Sequence, residues 1–439
     1  MVVRFDRGSL YDVTKVETIS GRPLEVTSTS TTPTTVQYTD VAKDAFGRLR
    51  VSNPFTLFDS SHRYSDNGLW ATELTTGGTS VFNADQGLVD LNTTTSNGSS
   101  VIRETYKVFT YQPGKSLLVM SSFVANAQKT GLRQRIGYFG NDNGIYFELN
   151  NTDQPQFVKR SLVTGSVTNT GVNQSNWNVD PLDGTGPSGI TIDFTKVQIF
   201  WTDLEWLGSG TVRVGFLIGG VFVLCHTFDH ANIIDSTYMT TATLPCRFEI
   251  TNTATTASNS LLKQICTTVI SEGGYELAGR QYFAATDIAT PYDLTNADTY
   301  YPVVSLRLKA TPNNLDAVVI PTAISIAGLS NNSNYNIQII YRGTTTGGSW
   351  VSAGSDSSVE YNITGTSFSA SGAKEITSAW FQGTRQGSSI ATLSRNDLFK
   401  FQLERNGLTD TPYEATIVVA TDNSGADIYA SFDWEEVSR

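Results

Sequence analysis

The chain has 439 residues, enough for two or three domains that each bury a core. Charged residues are only 16%, and 58 Thr and 37 Gly fill the place charges normally take, which excludes a coiled coil, a helical repeat, a collagen-like rod or a wholly disordered chain. With 30 Lys+Arg against 41 Asp+Glu the net charge is −11, so the basic field that a nucleic-acid binder needs is missing and an all-β structural or binding protein is expected.

Residues 1–50 read as an extended N-terminal anchoring arm. They hold seven Lys/Arg and six Asp/Glu, and the stretch LEVTSTSTTPTTVQYT (24–39) has too few apolar side chains to compact on its own. The following DAFGRLRVSNPFTLFDSSHRY (44–64) is dense in apolar and basic residues. Its Phe46, Arg48, Arg50, Phe55 and Phe58 are the candidate assembly contacts, although the same pattern suits a first strand entering a core.

Short strands and turns then predict a jelly-roll β-sandwich body over 51–285. RETYKVFTY (103–111) and KSLLVMSSFVA (115–125) flank the turn Gln112-Pro113-Gly114, and Asn143-Gly144 sits in a loop between aromatic strands. TVRVGFLI and VFVLCHTF (211–228) flank Gly219-Gly220. A two-residue turn there pairs Ile218 with Val221, Phe216 with Val223 and Val214 with Cys225, and apolar residues on both faces predict an interior hairpin. The segment 286–302 reads as a linker. A second β-sandwich is expected over 286–439, with short helical turns around 229–236 and 387–397.

No strong catalytic motif is present. His226 and His230 have the spacing of a metal pair, but on a strand four residues span roughly 13 Å. GTGPSG (184–189) matches a dinucleotide fingerprint in its glycines only, because Pro187 and the β-rich segment after it deny the helix. Asp180, Asp183 and Asp193 fail the spacing of a calcium loop. Asp203 and Glu205 alternate on a strand between Trp201 and Trp206, which puts two carboxylates roughly 7 Å apart beside aromatics, the sharpest glycosidase reading available. Trp350, Trp380 and Tyr413 beside Gly/Thr/Ser loops could form a sugar-binding rim. The balance of these readings is a protein with no catalytic, cofactor or metal residues. Cys225, Cys246 and Cys266 are odd in number without short spacing and are expected reduced. The start lacks a signal peptide, and no apolar run reaches the ~20 residues of a membrane span.

The motif DAFGRLRVSNPFTLFD (44–59) resembles one near the start of virion structural proteins of tailed bacteriophages, notably marine and cyanobacterial ones, and 196–270 is similar to the same group. More distantly, the strand, Gly-Gly hairpin and return strand resemble the laminin-G/concanavalin-like jelly roll. Glycosidases of that fold carry an ExDxE-type strand motif, from which Asp203-Leu204-Glu205 departs. The resemblance implies a homo-oligomeric virion component assembled in the bacterial cytoplasm. It would sit on the capsid, neck or tail, with other virion proteins and copies of itself as partners, and host-surface glycan as the alternative ligand.

Overall fold

The computed structural model describes residues 53–152, 154–310, 314–330, 332–383, 389–392 and 401–438. Phe46, Arg48, Arg50 and the arm lie outside these residues. The described chain is almost entirely antiparallel β, as its Thr, aromatic and Gly content dictates.

The first sandwich stacks two large sheets. One runs, edge to edge, through Val221–Phe228, Val212–Ile218, Gln198–Leu204, Ser116–Val124, Ser260–Glu272, Leu88–Thr93 and Thr79–Asn83, with Phe55–Ser61 also paired to Ser260–Glu272. The other runs through Thr168–Asn173, Pro155–Ser161, Gly144–Leu149, Leu132–Phe139, Cys246–Asn252, Ser100–Thr105 and Trp70–Thr75. Their inner faces meet in an aromatic core. Phe157 stacks on Trp177 at 4.1 Å and Phe147 meets Phe194 at 4.8 Å and Phe216 at 5.3 Å.

The second sandwich pairs a smaller sheet, Arg280–Ala285, Ala426–Ser438, Val318–Gly328 and Ser389–Thr392, with a larger one. The larger runs through Val351–Ser352, Val359–Asn362, Tyr301–Leu308, Ala415–Thr421, Asn334–Tyr341 and Lys374–Gln382. Trp434, Phe432, Tyr335 and Ile417 are buried between them. The strand Arg280–Ala285 belongs here, because it pairs with Ala426–Ser438. The second sandwich therefore begins before residue 286, and the expected linker contributes the short strand Tyr292–Leu294.

Two expectations for the Gly219-Gly220 hairpin need correction. The turn and the pairs Ile218–Val221 and Phe216–Val223 are as read, but Val214 faces His226, because a bulge between Val214 and Gly215 leaves Cys225 as the extra residue. Nor is the hairpin interior. Val221–Phe228 is the edge strand, and Val221 and Phe222 at its tip are 53% and 50% exposed. The segment 229–236 forms only a turn, with Ile233 and Ile234 N–H donating to the His230 carbonyl. Residues 389–392 are strand; the rest of 387–397 lies outside the described residues.

The two sandwiches are joined by buried polar contacts. Arg405 donates to Glu104 Oε1 at 2.6 Å and to Asp316 at 3.1 Å, while Arg247 donates to the other oxygen of Glu104. Gly407 is required beside them: a Cβ there would lie 2.3 Å from Glu104 Oε1. Gln402 donates to the Val108 carbonyl at 2.9 Å, and the Arg342 guanidinium lies 3.8 Å from the Tyr106 ring centre.

Candidate functional site

The assembly contacts within the described residues face inward. Phe58 is 7% exposed and packs 4.9 Å from Phe109 and 6.1 Å from Trp70, so it is a core residue and no surface contact. Phe55 is half-buried at the start of the strand that pairs with Ser260–Glu272, 6.3 Å from the Tyr275 ring. The two are three residues apart, so strict alternation would put them on opposite faces; a bulge between Thr56 and Phe58 brings both onto one face.

Asp203 and Glu205 do not form a facing pair. Asp203 is buried and bonded to Arg213, its cross-strand neighbour. Glu205 lies past the strand end and is exposed. Trp201 is buried against the hairpin, 5.5 Å from Phe222, and Trp206 meets Tyr111 at 6.4 Å, so neither lies open for a sugar ring.

The histidines are also separately engaged. His226 Nδ1 accepts the Asn178 N–H at 3.2 Å. His230 Nδ1 donates to the Gly210 carbonyl at 2.8 Å, which leaves its Nε2 to accept from Lys159 at 3.0 Å. Burial lowers both histidine pKa values. In the glycine-rich loop the Asp180 carboxylate accepts the N–H groups of Leu182 at 2.9 Å and Ser188 at 2.8 Å. Gly186 is obligatory for that closure, because a Cβ would sit 2.1 Å from Asp180 Oδ1. Asp183 and Asp193 each accept from the Thr two residues on, which holds both below the usual carboxylate range. These carboxylates are turned onto their own backbone. Among the described residues no cluster of three His, Cys, Asp or Glu is placed to hold a metal.

Two features escaped the sequence reading. The first is an ion ladder on the outer face of the seven-stranded sheet. Arg133 bonds Glu249 at 2.8 Å, Arg135 bonds Glu148, and Arg135 also lies 3.6 Å from Glu249. Burial works to raise the Glu249 pKa, but Arg135, Arg133 and Arg247 overcome it and hold the carboxyl below its usual range. A group so held is a poor proton donor near neutrality.

The second is a polar cleft of about 730 Å³ at the edge of the same sheet. Lys159, Ser161, Thr168 and Thr170 line one wall and the loop 232–238 the other. Lys159 has the inward parity of Phe157, but at the sheet's rim, where the core has ended. Its ammonium donates to His230, whose ring stacks on Tyr238 at 4.0 Å. Burial lowers the Lys159 pKa. The cleft can hold a polar ligand through hydroxyls and one cation. Three separate segments build it, so no spacing marks it in the sequence.

The three rim aromatics diverge. Tyr413 is at the joint, 5.5 Å from Tyr106, and Trp350 lies under Arg307 at 3.9 Å. Trp380 alone stands open, 73% exposed on the edge strand Lys374–Gln382.

The architecture thus defines an all-β protein of two sandwiches, the first of jelly-roll type. No protein-family model and no curated protein matches the chain. Solved structures match about half of it. One is a β-glucanase from Bacillus licheniformis, at 12% identity over 52% of this chain and 99% of that chain, with a TM-score of 0.32. Another is a Bacteroides ovatus mixed-linkage-glucan protein of glycoside hydrolase family 16, at 12% over 48% and 99%, with a TM-score of 0.33. A third is a legume lectin-like domain from Entamoeba histolytica, at 10% over 46% and 88%, with a TM-score of 0.28.

Proposed function

We propose that this chain is a non-catalytic structural component of a bacteriophage particle, a capsid-decoration, neck or tail-associated protein held by residues 1–50 and repeated as copies around the particle. The observation that carries the static, non-catalytic part is the state of the carboxylates. Asp203 is tied to Arg213, Glu205 stands outside the strand, and Glu249 and Glu148 are bound by arginines. A hydrolase needs one carboxyl that keeps its proton and a second that faces it across the substrate. The buried ions that join the sandwiches suit a part that keeps its shape. The resemblance of 44–59 to phage virion proteins supports the setting, as do three cysteines that are all unpaired, in keeping with assembly in a bacterial cytoplasm.

Deleting residues 1–43 tests the anchor. The truncated protein is expected to stay folded and soluble and to be missing from purified particles; its incorporation at the normal level would refute the assignment. Asp203→Asn with Glu205→Gln is expected to leave particle assembly and infectivity unchanged.

A second reading, host-surface glycan attachment, is favoured by the open indole of Trp380, which no core or joint uses.

A further inference from the structure

We infer that the outer face of the larger sheet in the second sandwich is a binding platform for a neutral, extended polysaccharide, with Trp380 and Tyr300 as its two stacking surfaces. The inference rests on the attachment reading and gives it a site and a ligand class.

Trp380 pairs across the edge with Asn336, so both side chains lie on one face of the sheet. Tyr300, just ahead of the strand Tyr301–Leu308, reaches over Ala415–Thr421 to the same place. Its hydroxyl donates to Asn336 Oδ1 at 2.6 Å and accepts from Gln338 Nε2 at 2.9 Å. Asn336 in turn donates to Ser378 Oγ at 3.1 Å. The Tyr300 ring is thereby fixed across the sheet while still 37% exposed.

The chemistry of this row selects its occupant. A 73% exposed indole on a sheet is an open apolar surface with a polar tip, and aromatic faces attract the C–H face of a pyranose. Beside it, Ser378 still has its own O–H to donate, and the Gln338 carbonyl oxygen can accept. Hydroxyl-rich ligands are bound by such mixed groups. The five side chains of the row carry no charge, and the acids next along the same face, Glu375 opposite Ile340 and Asp422 bonded to Asn334, would repel an anion, so an uncharged ligand fits it better than an acidic one. Tyr300 spans the strand between Tyr301–Leu308 and Asn334–Tyr341, and Trp380 stands two strands further on, which separates the two rings by about 10 Å at ordinary strand spacing. Alternate sugars of one extended chain can then cover both. Because hydrogen bonds already hold Tyr300, little side-chain freedom is lost on binding.

Titration of the purified full chain with cellohexaose and mannohexaose, against polygalacturonate as the charged comparison, tests this. At least one neutral hexasaccharide is expected to bind and polygalacturonate to bind more weakly. Trp380→Ala is expected to weaken binding about tenfold or more with the melting temperature unchanged, and Tyr300→Phe to weaken it by a smaller factor, since the ring remains but its anchor is lost. Val197→Ala, at an exposed position of the first sandwich, is expected to bind as the parent does. Three results would overturn the inference: no binding of either neutral sugar, parent-like binding by Trp380→Ala, or a melting temperature lowered by several degrees in Trp380→Ala, which would mean that the indole is used by the fold itself. Particle incorporation of the chain lacking residues 1–43 is read separately, so failure here and failure of the virion reading are distinguishable.

Discussion

Glu104→Gln is expected to loosen the joint between the sandwiches. Glu104 is 1% exposed and faces two guanidinium groups, Arg247 from its own sandwich and Arg405 from the other. Removing the charge leaves two buried cations short of a partner, a change that costs ~3–5 kcal/mol where nothing compensates. Here Asp316 still holds Arg405 at 3.1 Å, and Asn141 still accepts from Arg247 at 2.8 Å. The expected loss is therefore near the lower end, about 3 kcal/mol. In urea, with a slope of about 3 kcal/mol/M, the midpoint falls by about 1 M. Adding Arg405→Met should restore part of the loss, because the second buried charge goes too. The double-mutant cycle then reads a coupling of about 1–3 kcal/mol across the joint. A Glu104→Gln protein within about 0.5 kcal/mol of the parent, or a coupling near zero, would refute the reasoning.

Other outcomes follow from the same structure. Burial, assisted by Arg103 and opposed by Asp66, lowers the His62 pKa from 6.5 to about 4. A folded-state pKa below the unfolded one means that its contribution is whole above pH 6.5 and is lost as the pH falls from 6.5 to 4. The loss is at most about 3 kcal/mol, and His62→Gln should flatten the urea midpoint over that range; an unchanged slope would exclude His62 as the cause. Phe58→Ala should destabilise by ~3–5 kcal/mol in the same assay, whereas a surface contact would leave the midpoint in place. Thiol titration of the native protein should show one fast group, the exposed Cys266. Cys225, pushed up to about 12 by burial, and Cys246, pushed higher still, should react only on unfolding, and three fast thiols would contradict their burial.

Much of the fold was legible because turns and alternation are local signals. The Gly219-Gly220 pair, at φ +61° and +82°, marks its hairpin without ambiguity. The bulge four pairs further on was not legible, since residues on both faces are apolar and a slip of one leaves the pattern unchanged. Gly215 was the clue: a Cβ there would lie 2.0 Å from the Val223 carbonyl oxygen. The same two-sided apolarity misplaced the hairpin in the interior. Arg133, Arg135, Glu148 and Glu249 are charged strand residues that no motif marks, yet Glu148 and Glu249 are buried at 5% and 4%. Arg135 and Glu148 face each other across one hairpin, but only the pairing of Leu132–Phe139 with Cys246–Asn252, distant in sequence, adds Glu249 to the register. The site was legible in part: Trp380 stood out as an aromatic residue beside polar loops, but Tyr300 and Gln338 acquire meaning only when Tyr301–Leu308 and Asn334–Tyr341 flank the same strand.

The strand Ala426–Ser438 lies in the middle of its sheet, between Arg280–Ala285 and Val318–Gly328, and carries Phe432 and Trp434 into the core. A nascent chain released before residue 426 would hold both flanking strands with nothing between them. Its exposed hydrogen-bonding edges and vacant aromatic sockets would invite aggregation. Nonsense mutations well past the middle of the reading frame should thus be as damaging to the second sandwich as early ones, while the first, complete by Glu272, could survive them.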